Sequence, residues 1–172
     1  MSGFILINNK TNLEVFDIFN EIYGAKALFL FPDFEEIQIN AVYHYDSSDK
    51  DSFNEFDTFG FYYDYLKEQK YAEIIIHLDA CERLELTNEE KLAAIAHELG
   101  HIRYTEIYQT SDQGQVAEME CDEFACKLGL SRPLASQLLK LTKYRILPDQ
   151  LTQFINDRLF NINLKSIPSF DM

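Results

Sequence analysis

The chain has 172 residues, 47% hydrophobic and 14% aromatic, which is enough apolar material for one domain around a main core and too much for a disordered chain. The formal net charge of -14 argues against nucleic acid and anionic membranes, which repel an acidic surface; it reads as a solvated acidic face or as attraction for a cationic partner. Three cysteines (Cys81, Cys121, Cys126) cannot all pair within the chain, the opening apolar run is short and lacks a basic flank, and no stretch is long enough to cross a bilayer, so a reducing, cytoplasmic compartment is expected.

The first seventy residues carry no recognisable motif. Short apolar runs occupy 27–31 and 37–42, Pro32-Asp33 reads as a turn, and residues 37–43 alternate as a half-buried strand does. Residues 45–54, rich in Asp and Ser, read as a loop, and 59–71 as a helix. The β-branched run 73–78 is expected to form a mostly buried strand. The best-defined helix follows over 88–108. Thr87 is its N-cap, Glu90 completes a capping box, and Leu92, Ile95, Ala96, Leu99 and Ile102 recur at helical spacing.

A polar break at 110–114 separates this helix from a second one over 115–128, stopped by Gly129. Ser131 caps a third helix with Pro133 in its first turn, and Leu134, Leu138, Leu141 and Tyr144 line its buried face. Pro148 opens a fourth helix carrying Leu151, Phe154, Ile155 and Leu159, and the tail after Asn161 reads as extended. The organisation expected is a single domain over 1–172, with an N-terminal region at 1–70, a core at 71–130, and C-terminal helices with a tail at 131–172.

The long helix contains His97-Glu98-Leu99-Gly100-His101, the pattern H-E-x-x-H. Histidines four apart project from one helical face, so both imidazoles reach a single metal ion. Zinc accepts neutral imidazole and carboxylate in a roughly tetrahedral shell, and three protein ligands leave a fourth position where water is activated. Glu98 points beside the metal rather than at it, where a general base belongs. Small Ala93 and Ala94, one turn earlier, leave room there. The third ligand must come from elsewhere. In the second helix Glu118 and Asp122 share one face, which suits a carboxylate ligand and an acid that orients a ligating histidine. Cys121, close to the same face, is an alternative soft ligand or a buried apolar thiol. Glu120 and Glu123 read as solvated.

Residues 89–102 resemble the active-site helix of gluzincin metallopeptidases, in the group of HtpX-like proteases and small soluble minigluzincins. Residues 118–129 are similar to that group's glutamate helix, E-x-x-A-D-x-x-A-x-x-L-G, with Cys121 in place of the usual Ala. ImmA/IrrE-type peptidases carry a similar helix pair. The resemblance spans about 74–130. It implies an α+β zincin-like fold, with a small, mostly antiparallel sheet packed on the two motif helices. It also implies one zinc ion per chain held by His97, His101 and Glu118, with Asp122 behind His97 or His101 and Glu98 as the base of a metalloendopeptidase. The substrate implied is a peptide or protein, laid along the strand at 73–78 by strand addition. A protease devoted to a single partner, a latent zymogen, and an interaction protein on the same scaffold are the alternatives. In the latent form Asp171 or an acid between Asp46 and Asp57 would cover the metal. Tyr104, Tyr108 and His77 are candidate oxyanion donors, Arg158 is a candidate substrate contact, and His44 reads as exposed. Neither nucleic acid nor a membrane is an expected partner, and the sequence leaves the oligomeric state open.

Overall fold

The computed structural model describes residues 5–43, 60–110, 114–144 and 149–166, which form a mixed α+β arrangement of four strands and six helices. Two-residue β1 (Asn8–Asn9) leads into α1 (Glu14–Leu30), and a 3-10 turn (Pro32–Glu36) returns the chain to β2 (Gln38–Tyr43). Strands β3 (Phe61–Leu66) and β4 (Tyr71–Ile76) follow, then short α2 (Leu78–Arg83). The long central helix is α3 (Asn88–Tyr108), succeeded by α4 (Gln115–Lys127), α5 (Ser131–Tyr144) and α6 (Asp149–Ser166). Among the described residues, no helix is long and apolar enough to cross a membrane.

The sheet order is β1-β2-β4-β3. The β1–β2 and β2–β4 pairs are parallel and only β3–β4 is antiparallel, so the expected mostly antiparallel sheet is corrected. The reason lies in the connections. A crossover as long as α1 returns the chain parallel to β1, whereas β3 and β4 are joined by the tight turn Lys67–Gln69 with Lys70 left-handed at φ 50°. Asn20 ties the start of the crossover down, its Oδ1 accepting from Ile7 N at 2.9 Å and its Nδ2 donating to Ile7 O at 2.8 Å.

Three further expectations change. Residues 59–71, read as a helix, hold strand β3. Phe61-Tyr62-Tyr63-Asp64-Tyr65 is a strand-favouring aromatic run whose Phe61 and Tyr63 face inward while Asp64 is exposed. The strand expected at 73–78 is β4, shifted to Tyr71–Ile76. It lies between β2 and β3, so among the described residues β3 rather than β4 forms the sheet edge beside α3. The chain after Asn161 continues as helix to Ser166 instead of extending.

Helix α3 follows its expected bounds and is the pillar of the fold. Ile39, Ala41, Ala72, Ile74 and Ile76 from the sheet share one buried core with Leu92, Ile95, Ala96, Leu99 and Ile102. The sheet covers one side of α3, and α4 and α5 cover the other, so it is buried nearly all round. Thr87 caps it as expected, its Oγ1 accepting from Glu90 N at 3.2 Å. Glu90 turns inward instead of closing a reciprocal box on the Thr87 amide. Its Oε1 accepts from Thr87 Oγ1 at 3.2 Å and pairs with Lys140 Nζ at 2.8 Å, which fastens α5 to the start of α3. Gly129 ends the α4 segment at φ +88°, a conformation suited to glycine.

Candidate metal centre

Helices α3 and α4 come into close backbone contact at Gly100. A Cβ at this position would stand 2.8 Å from Cys121 Cα, so only glycine permits the approach. That contact places the two motif helices face to face. His97 Nε2 lies 2.8 Å from Glu118 Oε2, and His101 Nε2 lies 3.2 Å from Glu118 Oε1. One carboxylate therefore spans both imidazoles. The two rings meet edge to face at 4.9 Å and 82°.

Each ring has its own support. His97 Nδ1 meets Asp122 Oδ1 at 2.8 Å. Asp122 is fully buried and is gripped in turn by Arg158 from α6, Nε to Oδ2 and Nη2 to Oδ1, both at 2.8 Å. Arg158 Nη1 also lies 3.8 Å from Glu118 Oε2. His101 is covered by Tyr63 of β3, stacked at 4.4 Å and nearly parallel at 8°. Support of this kind fixes ring orientation and, for His97, the tautomer.

The donor chemistry fits a divalent metal. Both nitrogens of His97 face carboxylate oxygens at 2.8 Å, yet a neutral imidazole carries only one N–H. A positive charge, proton or metal, has to stand on the Nε2 side. Burial alone would lower the His97 pKa, but Glu118 and Asp122 outweigh it and push it up to about 10 in the metal-free protein. Burial likewise works against the carboxylates, yet His97, His101 and Arg158 hold Glu118 well below the usual range, and Arg158 and His97 hold Asp122 below it. Two imidazoles with a carboxylate are a donor set that suits zinc.

Glu98 is buried beside the cluster, and desolvation pushes its carboxyl above the usual range against the pull of His101 and His97. A cavity of about 110 Å³ opens over these residues. Glu98, His97, His101 and Glu118 line it, β3 contributes Phe61, Tyr62 and Tyr63, and of the two alanines expected to leave room Ala94 lines it and Ala93 does not. Leu134, Leu138 and Phe154 supply an apolar wall.

The residues singled out from sequence, His97, Glu98, His101, Glu118 and Asp122, thus come together. The proposed oxyanion donors do not join them. His77 caps α2, its Nδ1 accepting from Ala80 N at 3.1 Å; Tyr104 packs with Ala117 and Cys121; and Tyr108 is half exposed. None of the three lines the cavity, whereas Arg158 does. Glu120 and Glu123 are half-buried at the edge of α4, with Glu123 3.9 Å from Lys127. His44, Asp46 to Asp57 and Asp171 lie outside the described residues. Tyr63 had no sequence signal as a site residue beyond its place in an aromatic run. Cys121 is wholly buried, and one donor atom from each of His97, His101 and Cys121 lie within 4.8 Å of one another. Burial pushes its thiol well above the usual range, with Glu118, Glu98 and Asp122 adding to the shift.

No protein-family model matches the chain, and no curated protein or solved structure matches it either.

Proposed function

We propose that this chain is a zinc-dependent metallopeptidase of zincin type, with His97, His101 and Glu118 as the metal's protein ligands and Glu98 as general base. The observation that carries this reading is the single Glu118 carboxylate spanning both Nε2 atoms at 2.8 and 3.2 Å, with buried Glu98 lining the same cavity. A zinc ion held there would supply Lewis-acid polarisation of water and of the scissile carbonyl.

The remaining chemistry belongs to the chain. The Glu98 carboxylate takes a proton from the attacking water as the C–O bond forms, then delivers it to the leaving nitrogen as the C–N bond breaks. Burial raises the pKa of the Glu98 carboxyl in the metal-free protein, which makes it a stronger proton acceptor there. Arg158 neutralises buried Asp122 and keeps His97 in place. Among the described residues, β3 is the sheet edge beside the cavity, and an extended peptide adds to it by main-chain hydrogen bonds. This role, first expected of the strand at 73–78, passes to β3. The wall of Leu134, Leu138 and Phe154 favours an apolar substrate side chain.

Elemental analysis with a peptide-library assay tests the reading. Wild type should hold about one zinc per chain, and His97→Ala and Glu118→Ala should lose it. Glu98→Gln should keep the zinc while cleavage falls by roughly 100-fold or more. A wild type that stays metal-free when zinc is supplied, or a Glu98→Gln protein as active as wild type, refutes the proposal.

A further inference from the structure

The proposed ligand set leaves one group at the centre without a role. Cys121 is wholly buried, and its sulfur and one ring nitrogen from each of His97 and His101 lie within 4.8 Å of one another. Two features put the thiol there. Gly100, between the histidines, lets α3 and α4 close until a Cβ at Gly100 would stand 2.8 Å from Cys121 Cα. Cys121 also follows Glu118 by three residues, so the two share a face of α4. Sulfur is a strong zinc donor as thiolate, at about 2.3 Å. Cys81 and Cys126 belong to no such group among the described residues.

We propose that Cys121 is a sulfur donor to the ion held by His97 and His101, closing a four-ligand shell with Glu118 in the resting protein. The inference rests on the metal-centre reading above and adds its regulation. As the metal–sulfur bond forms from a sulfur electron pair, the S–H bond breaks and its proton passes to solvent, with no change of oxidation state. A dication with one carboxylate and one thiolate is neutral, which lowers the cost of burying the cluster. Closed four-ligand shells are the arrangement of structural rather than catalytic zinc. The resting protein is therefore latent, and hydrolysis requires the sulfur to withdraw.

The test is the absorption spectrum of the full chain loaded with cobalt(II), with Cys121→Ser beside it. Wild type should show a near-ultraviolet thiolate-to-cobalt charge-transfer band. Cys121→Ser should lose that band, keep the visible d–d bands, and bind cobalt at least about tenfold more weakly, since even residues behind the ligands cost roughly that much. Visible bands without charge transfer in wild type overturn the proposal and leave the His97, His101 and Glu118 site standing. A charge-transfer band that survives in Cys121→Ser also overturns it, because the sulfur is then another cysteine's. Failure of wild type to bind cobalt removes this inference and the metal-centre reading together. Where Cys121→Ser does not fold, a band kept by the full chain carrying Cys81→Ser and Cys126→Ser supports Cys121 as the donor, and a band lost there overturns the proposal. Peptide cleavage at equal zinc loading should be several-fold faster in Cys121→Ser, and cleavage no faster overturns the latency.

Discussion

Asp122 shows how much one side chain carries at this site. Its carboxylate meets His97 with one oxygen and is held by Arg158 through both, with no solvent exposure. Removing it strands a buried guanidinium, which makes this pair costly to break from one side. Asp122→Ala is expected to lose about 3–5 kcal/mol of folding stability. Chemical denaturation of the metal-free protein measures that loss, and a variant within about 0.5 kcal/mol of wild type would refute the coupling. At this scale the sequence was legible where spacing is local. Glu118 and Asp122 are one helical turn apart, so a shared face followed from the α-helical repeat. Arg158 was only a weak candidate, because nothing in residues 149–166 tells that a guanidinium 36 residues after Asp122 will be aimed at it.

At the scale of elements, the site depends on how closely α3 and α4 approach. The obstacle to a larger residue at Gly100 is the Cys121 backbone at 2.8 Å, with Cys121 Cβ and O at 3.1 Å. Backbone does not rotate aside, so Gly100→Ala must push the helices apart. The expected cost is about 1–3 kcal/mol, read as a lowered thermal midpoint. Shortening the neighbour with Cys121→Ala should not restore it, because Cα remains. Restoration by that second change would show that the side chain, not the backbone, limits the approach. Helices α3 to α5 and the body of α6 were legible because apolar spacing and turn signals are written within each segment, whereas the last turn of α6 was not. Strand β3 was not. A run of Tyr and Phe fits several periods, and only pairing with β4 selects the extended form.

Across the whole molecule, the sheet edge and the far end of α3 are joined by a charged clamp. Glu106 accepts from Tyr65 OH and pairs with Lys70 Nζ at 2.9 Å, tying β3 and the turn after it to α3. Burial tends to raise the Glu106 carboxyl, but Tyr65 and Lys70 win and hold it below its ordinary value. A carboxylate depressed in the folded state adds stability above its unfolded pKa of about 4.3, and this is lost as pH falls through the lower folded value. Glu106→Gln should therefore lower stability at neutral pH and flatten the acid limb of stability against pH. An acid limb as steep as that of wild type would show that the clamp contributes nothing.

Local sequence was enough to set the content of the two motif helices and the chemistry of their side chains. Helical repeat, capping and the histidine spacing act over a few residues, so they are settled before the chain folds back on itself. Packing between distant segments made the sheet largely parallel, left β3 at its edge among the described residues, laid Tyr63 over His101, and brought Arg158 and Cys121 to the centre. Each of these is a meeting of segments far apart in the chain. The choice among such meetings is made by how apolar faces are buried together and how buried charges find partners, and neither has a local signature.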